Sequence, residues 1–441
     1  MSTGSISAGD TAWMLIATAL VLMMTPALGL FYGGMVRAKS ILNTFMMSIS
    51  ALGVVTITWT LAGYSLAFTH SSNGFIGGLH FALLRHVGLG AQPGTHIPQL
   101  LYFCFEAAFA IITAALVSGA VVERIRFPAF IAFIALWSLL VYPVLAHWVW
   151  GGGWLAQHGV LDFAGGVPVE MGSGFSALAA ALAVGARRDY GRQALLPHNV
   201  VYVLLGAGLL WFGWFGFNAG SALGINHTTA LAFTNTLLAP AATLVVWMAI
   251  EARLNGRPTA IGAATAIVVG CVGITPAAGF VSPGAALLLG ALAALPSYAV
   301  IQWRPRTSLD ESLDVLGAHG LGGLTGILFI GLFAQHSWNG VANGALFGHP
   351  SLLGWQAVAA LAAPAYAFAA TFGLLKLIGL VIPLRVAEHG EPLGMDVVQH
   401  GEEAYNTGEG AILLREELSV PSAQAPSASS SRSRDPYVAA D

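Results

Sequence analysis

The chain has 441 residues, of which only 8% are charged, against about 25% in an average soluble protein. Hydrophobic residues make up 56% of the chain, and the mean hydropathy is +0.75. A soluble enzyme of this size needs more surface charge, and a nucleic-acid binder needs a basic excess. The 17 Lys and Arg face 20 Asp and Glu. The composition therefore excludes both classes and a disordered chain, and it indicates an all-α membrane protein with many spans.

Apolar runs of about 20 residues recur along the chain, without the period of two that a transmembrane β-barrel requires. The segment before the first run, MSTGSISAGD, lacks the basic residues of a cleaved signal peptide, so this run is expected to remain as a span. Eleven transmembrane helices are predicted, at about 11–34, 41–68, 99–122, 127–147, 163–186, 197–221, 228–250, 258–276, 284–303, 312–333 and 355–383.

Basic residues concentrate in every second loop between the predicted spans, and Arg85 is the only Lys or Arg in the intervening loops. The positive-inside rule then predicts an N terminus outside and a C terminus in the cytoplasm. Residues 1–384 form the predicted membrane domain, and 385–418 a cytoplasmic tail. The last stretch, 419–441, is rich in Ser, Ala and Pro, which predicts a disordered extension.

Two predicted spans begin with a related pattern, LDFAGGVPVE at 161–170 and ESLDVLGAH at 311–319. Asp162 precedes Glu170 by eight residues, and Glu311 precedes His319 by the same distance. The two segments belong to the fifth and tenth spans, so they cross the membrane in opposite directions. This arrangement predicts an inverted five-plus-five repeat, with halves at about 11–187 and 197–334 and a site near the midplane. The eleventh helix, at about 355–383, lies outside the repeat.

Glu170 and His319 lie within apolar spans, where an ionisable side chain is costly and is therefore a functional hypothesis. They are expected to face each other, either as a polar station in a pore or as a buried pair that joins two helices. Asp162 begins a span. It is interpreted as a helix cap, as an anion that favours a cation at the outer mouth, or as both.

Aromatic residues are dense in AHWVWGGG (146–153) and WFGWFGFNAGSA (211–222). Trp148 and Trp150 are expected at the outer face, as part of an interfacial belt or as a cation–π platform. Phe109 and Phe217 lie inside spans, where packing is the ordinary role. The two cysteines lack metal-ligand spacing, and the chain has no P-loop, HExxH or GxSxG motif, so no metal, cofactor or enzyme activity is predicted.

Eight stretches together resemble the ammonium transporters of the ammonium transporter/methylammonium permease/Rhesus superfamily, over about residues 10–407. They are TPALGLFYGGMVRAKS (25–40), FAIITAALVSGAVVERIRF (109–127), AHWVWGGG (146–153), LDFAGGVPVEMGSGFSALAAAL (161–182), WFGWFGFNAGSA (211–222), GITPAAGFVSP (273–283), LDVLGAHGLGGLTG (313–326) and GMDVVQHGEEAY (394–405). The resemblance implies a homotrimer with one pore in each subunit. It also implies transport of ammonium, with methylammonium as an analogue, across the plasma membrane or bacterial inner membrane.

The resemblance also assigns roles to single residues. It implies an outer recognition site at Trp150, Phe109 and Ser221, and a stacked gate at Phe109 and Phe217. Asp162 matches an essential aspartate of the family, counted here with the substrate-binding residues, and Trp214 matches a tryptophan that lines the lumen. The tail resembles one that couples subunits and, in many bacterial members, meets a PII signalling protein.

Two positions depart from the family pattern. Most bacterial members have histidine at both lumen positions, whereas this chain has Glu170 and His319, and some fungal members resemble it in this respect. A carboxylate can hold or relay a proton as an imidazole does, but its reference pKa is lower by about two units. Glu106 stands where glutamine is common. It has no assigned role, although a carboxylate near the outer mouth would attract cations.

The resulting hypothesis is selective uptake of ammonium. The cation is recognised at the outer site and loses a proton, ammonia passes the phenyl gate, and the proton crosses separately through Asp162, Glu170 and His319. Two other functions stay open: an ammonium sensor that transports little, and a passive channel for ammonia or carbon dioxide gas.

Overall fold

The computed structural model describes residues 5–71, 73–387 and 390–405, and that part of the chain is helical, with two isolated β-bridges and no strand. The predicted all-α class is confirmed. The helices of the first half are α1 Ala8–Met35, α2 Ile41–Thr58, α3 Tyr64–Phe68, α4 Gln99–Val117, α5 Phe127–Leu140, α6 Tyr142–Val149, α7 Trp154–Gln157 and α8 Gly172–Val184. Those of the second half are α9 Val200–Gly220, α10 His227–Asn255, α11 Ala260–Ile274, α12 Pro283–Trp303, α13 Leu321–Phe333, α14 His336–Asn339, α15 Pro350–Gly379, α16 Gly390–Leu393 and α17 Met395–His400.

Ten helical segments among the described residues are long and apolar enough to cross a membrane, so the chain is a multi-pass membrane protein. The predicted span at 258–276 corresponds to α11, an apolar helix of 15 residues. A helix of that length reaches only about 22 Å, which is less than the hydrocarbon thickness of about 30 Å. The count of eleven spans and the orientation therefore stay predictions.

Helix α4 is the most enclosed of these segments. In its most apolar window 89% of the residues are buried, against 33% in α10. A helix that is apolar on all sides lies in the interior of a bundle, whereas large exposed apolar side chains on α10, such as Leu237 and Val245, face outward. The central position of α4 places Glu106 and Phe109 inside the protein.

Both related segments form a π-helical turn that begins a long helix. We name them the Asp162 turn (residues 162–171) and the Glu311 turn (residues 311–320). Their π-helical parts are Gly166–Met171 and Leu316–Gly320. A π turn adds a residue to the helical repeat, and such turns are frequent at functional sites.

A carboxylate caps each turn by accepting hydrogen bonds from the first free backbone N–H groups, which have no partner within the helix. Asp162 accepts three such bonds: Oδ1 from Gly165 and Gly166, both at 2.8 Å, and Oδ2 from Val167 at 2.7 Å. Glu311 accepts bonds from two N–H groups, those of Val315 at 3.0 Å and Leu316 at 3.2 Å.

The two segments cross at a glycine on each side, Gly174 in the first turn of α8 and Gly320 at the end of the Glu311 turn. A Cβ atom on Gly174 would collide with the backbone of Gly320, so a larger residue would separate the segments. Small residues allow this close approach of backbones in membrane helices. The crossing brings Glu170 and His319 to the same level of the bundle.

The end of the bundle that carries Arg37, Arg124, Arg187, Arg304 and Arg385, here called the arginine-rich face, is joined by buried ion pairs. Arg187 bonds Asp310 at 2.8 Å and Glu123 at 2.6 Å, and Arg37 bonds Glu123 at 2.7 Å. Burial would raise the pKa of Glu123, but the two arginines hold it below its usual value.

The described part of the tail lies on this face. Val386 donates its N–H to the Arg124 carbonyl at 3.1 Å, and Arg126 donates to the Leu384 carbonyl at 2.8 Å. Asp396 accepts a bond of 2.8 Å from the backbone N–H of Asn43, at the start of α2. The predicted disordered extension over 419–441 lies outside the described residues, as do 406–418.

Candidate functional site

Three cavities follow one another through the bundle. The Trp150 vestibule, on the side opposite the arginine-rich face, has a volume of about 280 Å³. It is lined by Tyr102, Phe105, Glu106, Phe109, Val149, Trp150, Phe163, Ser221 and Leu223. The lumen comes next, and then the Glu251 vestibule of about 360 Å³, whose lining includes Glu251, Thr259, Asp314 and His319. His319 borders both the lumen and the Glu251 vestibule, so these two cavities adjoin.

Two polar side chains of the Trp150 vestibule are held by backbone carbonyl groups. The indole Nε1 of Trp150 donates to the Asp162 carbonyl oxygen at 2.9 Å, and the Ser221 hydroxyl donates to the Phe217 carbonyl oxygen at 2.8 Å. The Trp150 ring is thereby fixed in orientation. The Ser221 oxygen, having donated its proton, keeps lone pairs that can accept a hydrogen bond.

Phe109 and Phe217 stack between the Trp150 vestibule and the lumen. Their ring centroids are 4.0 Å apart and the planes are inclined by 27°. Both side chains are almost fully buried, and Trp150 meets Phe109 edge-on at 6.1 Å. The stacked pair lies between the two cavities, since Phe109 lines the Trp150 vestibule and Phe217 lines the lumen.

The lumen is narrow and mainly apolar. Its volume of about 10 Å³ is close to the minimum for one water molecule. The polar lining consists of Glu170, Trp214 and His319. The other lining residues are Met24, Leu28, Phe31, Ile112, Leu116, Val169, Leu210, Phe217 and Val268.

Glu170 and His319 form a buried hydrogen-bonded pair, with Oε2 of Glu170 and Nδ1 of His319 2.7 Å apart. The side chain of Glu170 is 0% exposed and that of His319 is 5% exposed. The second carboxylate oxygen, Oε1, is buried and accepts no hydrogen bond from the described residues. Beside this pair, Trp214 Nε1 donates to the Thr275 hydroxyl at 2.8 Å, and that hydroxyl donates to the Cys271 carbonyl at 2.8 Å.

The structure brings together most of the residues singled out from the sequence. Trp150, Phe109 and Ser221 share one vestibule, and Glu170 lies beside His319. Asp162 is placed differently from a residue in contact with substrate. Its oxygens hold the turn and its carbonyl holds Trp150, and it does not line the vestibule. The geometry therefore favours the capping interpretation, in which Asp162 positions the site.

Trp148 also lies outside the Trp150 vestibule. Its Nε1 donates to the Phe75 carbonyl at 3.0 Å, and its ring packs against Tyr366. These contacts are those of a packed aromatic side chain with a satisfied N–H group.

Sequence reasoning missed several polar groups along the path. Thr275 lies in the quoted stretch GITPAAGFVSP, where a hydroxyl before a proline near the end of an apolar run was the available signal. Glu251 directly follows the predicted span 228–250, and its carboxylate accepts a hydrogen bond from the backbone N–H of Thr259 at 2.7 Å. The sequence predicts no role for Glu106. Within the described ranges, no group of three or more His, Cys, Asp or Glu residues could hold a metal ion.

A model of the Ammonium Transporter Family matches residues 12–405. An ammonium transporter of Bacillus subtilis is 45% identical over 402 residues, which cover 90% of this chain and 98% of the relative. The crystal structure of Saccharomyces cerevisiae Mep2 superposes with a TM-score of 0.84 at 34% identity, covering 92% of this chain and 94% of that one. A structure named Sensor Amt Protein gives a TM-score of 0.83 at 28% identity, covering 89% and 98%. The chain therefore belongs to the ammonium transporter family, and it is an ammonium transporter of the membrane.

Proposed function

We propose that ammonium is recognised in the Trp150 vestibule, loses a proton there, and crosses the lumen as ammonia. The observation that carries this mechanism is the stacked Phe109–Phe217 pair, which separates a vestibule with cation-binding groups from a narrow apolar lumen. A full charge is costly in such a lumen, whereas neutral ammonia has the size of a water molecule.

Recognition depends on two kinds of contact. The Trp150 and Phe109 rings offer a cation–π surface, and the Ser221 oxygen accepts an N–H bond because its own proton is engaged by Phe217. Potassium has the charge of ammonium but no N–H group to donate. Ammonium can also leave its charge behind by losing a proton, which a metal ion cannot do. The vestibule and the lumen together therefore reject potassium.

The proton follows a separate path in this proposal. An N–H bond of ammonium breaks in the vestibule, and the proton travels through the Glu170–His319 pair to the Glu251 vestibule. There it rejoins ammonia, so one ammonium leaves for each that enters and one charge crosses. The pair suits this relay because a carboxylate and an imidazole 2.7 Å apart can exchange a proton, and His319 also borders the Glu251 vestibule.

The arginine-rich face is proposed to be cytoplasmic, following the positive-inside rule, and the Trp150 vestibule then opens to the outside. Ammonium is therefore taken up from the Trp150 side, across the plasma membrane or a bacterial inner membrane. The homotrimer and the contact with a PII protein stay predictions.

The test is a current measurement on purified protein in liposomes on a solid-supported membrane, with an ammonium pulse and then an equal potassium pulse. We expect a current with ammonium and none with potassium. Glu170→Gln keeps the shape of the side chain but removes its acid–base chemistry, so it should lower the ammonium current about 100-fold. An unchanged current in this variant would contradict the relay.

Two further outcomes favour the other candidate functions. A dye that reports pH inside the liposome would reveal ammonia entry without current, which is the behaviour of a gas channel. The likeness to a structure named Sensor Amt Protein makes a sensor the second candidate. A correctly inserted protein that produces neither a current nor a pH change would favour the sensor.

A further inference from the structure

We propose that Glu106 provides the negative charge that binds the ammonium ion in the Trp150 vestibule. This inference rests on the proposed function and adds an anionic group to the recognition site of two aromatic rings and a hydroxyl. Two observations carry it: the position of the side chain on α4, and an unpartnered carboxylate oxygen.

Glu106 lies on the face of α4 that forms the wall of the vestibule. Phe109 follows it by three residues and Tyr102 precedes it by four, so the three side chains share one side of the helix. Among the described residues that line this cavity, Glu106 is the only acidic one, and none of them is basic. A cation beside Phe109 and Trp150 is therefore also beside this carboxylate.

The carboxylate is buried and incompletely bonded. Glu106 is 7% exposed, and its Oε2 atom is shielded from solvent and has no hydrogen-bond partner within the described ranges. No ion pair between described residues includes it. A buried acidic oxygen without a partner is costly unless a ligand compensates it. A bound ammonium ion would do so, because it brings both a positive charge and N–H donors.

Neither Asp162 nor Glu170 is available to bind the ion in the vestibule. The Asp162 oxygens accept three backbone N–H bonds and lie behind Trp150. Glu170 lies beyond the stacked phenyl pair, in the lumen. Glu106 is thus the carboxylate that meets the ion before the Phe109–Phe217 pair.

The test is the ammonium dependence of current in wild type and Glu106→Gln, with ammonium supplied on the Trp150 side. The amide keeps the size of the side chain and an acceptor oxygen but removes the charge. A charged hydrogen bond contributes enough for a loss of about 10- to 100-fold in affinity. We expect KM for ammonium to rise by that factor, while the maximum current stays within about two-fold of wild type, since the bond is not specific to the transition state.

Two controls separate binding from folding. Glu402→Gln removes one negative charge from an exposed position on the arginine-rich side and should leave KM unchanged. Glu106→Asp keeps the charge but shortens the side chain, so its KM should lie between those of wild type and Glu106→Gln. It also serves as the test should Glu106→Gln not insert. When ammonium is supplied from the Glu251 side, KM should be the same in wild type and in Glu106→Gln.

Two results would overturn the inference, and a third would overturn the proposed function. An equal KM in wild type and Glu106→Gln contradicts a binding role. A lower maximum current with unchanged KM contradicts it too, and indicates that Glu106 accepts the proton instead. Wild-type protein without ammonium flux would overturn the proposed function first, so the two failures are distinguishable.

Discussion

The Asp162 turn and the Glu311 turn have the same plan but different electrostatic surroundings. Each has a carboxylate that caps a π-helical turn, and each places a lumen residue eight positions later. The Asp162 turn is held by backbone N–H groups, and no ion pair of the described residues includes Asp162. The Glu311 turn directly follows Asp310, which makes a buried pair with Arg187, and it contains Asp314, which makes a half-buried pair with Arg304.

This difference is explained by where the cation enters, which is the end of the pore at the Trp150 vestibule. An arginine beside the Asp162 turn would repel a cation from the Trp150 vestibule, so this end is better stabilised by neutral donors. The Glu311 turn lies on the far side of the lumen, where fixed ion pairs can hold the helices without facing the incoming ion. One backbone motif is therefore stabilised by dipoles at one end and by charges at the other.

The largest expected effect is that of removing the caps. Asp162→Ala leaves three buried N–H groups unsatisfied, at about 1–3 kcal/mol each, and therefore lowers the free energy of unfolding by about 3–9 kcal/mol. Glu311→Ala leaves two such groups unsatisfied, so its loss in the free energy of unfolding should be about two thirds as large. Thermal unfolding in detergent measures both. Asp162→Asn, which retains an acceptor oxygen, is the control and should lose less. A larger loss in Glu311→Ala would contradict the comparison.

Asp310→Asn tests the charges beside the Glu311 turn. It breaks a buried bond between Asp310 and Arg187, which should cost about 3–5 kcal/mol. Burial raises the pKa of Asp310, but Arg187 and Arg124 lower it below the ordinary value of 3.8. A carboxylate with a lowered pKa stabilises the folded state above its unfolded pKa, and this contribution is lost as the pH falls through the folded value.

The stability difference between wild type and Asp310→Asn should therefore be constant down to about pH 5 and shrink only below about pH 4. Melting temperatures across this range give the comparison, with Asp162→Asn as the variant without an ion pair. A difference that vanished already near neutral pH would show that the pair does not stabilise the Glu311 turn.

The sequence predicted the features that depend on local spacing. The eight-residue interval placed Glu170 and His319 at one level, because both turns use the same number of residues between cap and lumen. The resemblance predicted that Phe109 stacks on Phe217. Ten of the eleven predicted spans correspond to helices that are long and apolar enough to cross a membrane, because the apolar run that forms a span consists of consecutive residues.

Other features depend on distant partners. Arg187 and Asp310 are separated by 123 residues, so no local pattern indicates their bond. Both carboxylate oxygens of Asp162 accept hydrogen bonds from the turn. This arrangement requires the backbone conformation of Gly165, whose φ of 120° is accessible to glycine alone. For the same reason the sequence left Asp162 between a cap and a cation contact, and left Glu106 without a role.

Making the lumen residues of the two turns alike should have a smaller effect. Glu170→His places an imidazole opposite His319, and because an imidazole also accepts and donates protons, the ammonium current should stay within about 10-fold of wild type. Glu170→Leu removes the acid–base group and should lower the current about 100-fold or more. Both are measured as peak currents at saturating ammonium. Equal losses in the two variants would mean that the shape of Glu170, and not its proton, is needed.

The smallest effect concerns the bond between Trp214 and Thr275, at the end of α11 beside the Asp162 turn. The next residue, Pro276, accepts the Phe163 N–H at 3.0 Å, so this segment holds the turn from the side of the second half. Trp214→Phe removes one donor and should lower the free energy of unfolding by about 1 kcal/mol. A double-mutant cycle with Thr275→Val should return a coupling of similar size, since each variant alone breaks the same bond. No coupling would mean that the segment is held by packing, and that the Asp162 turn needs no support from the Trp214 bond.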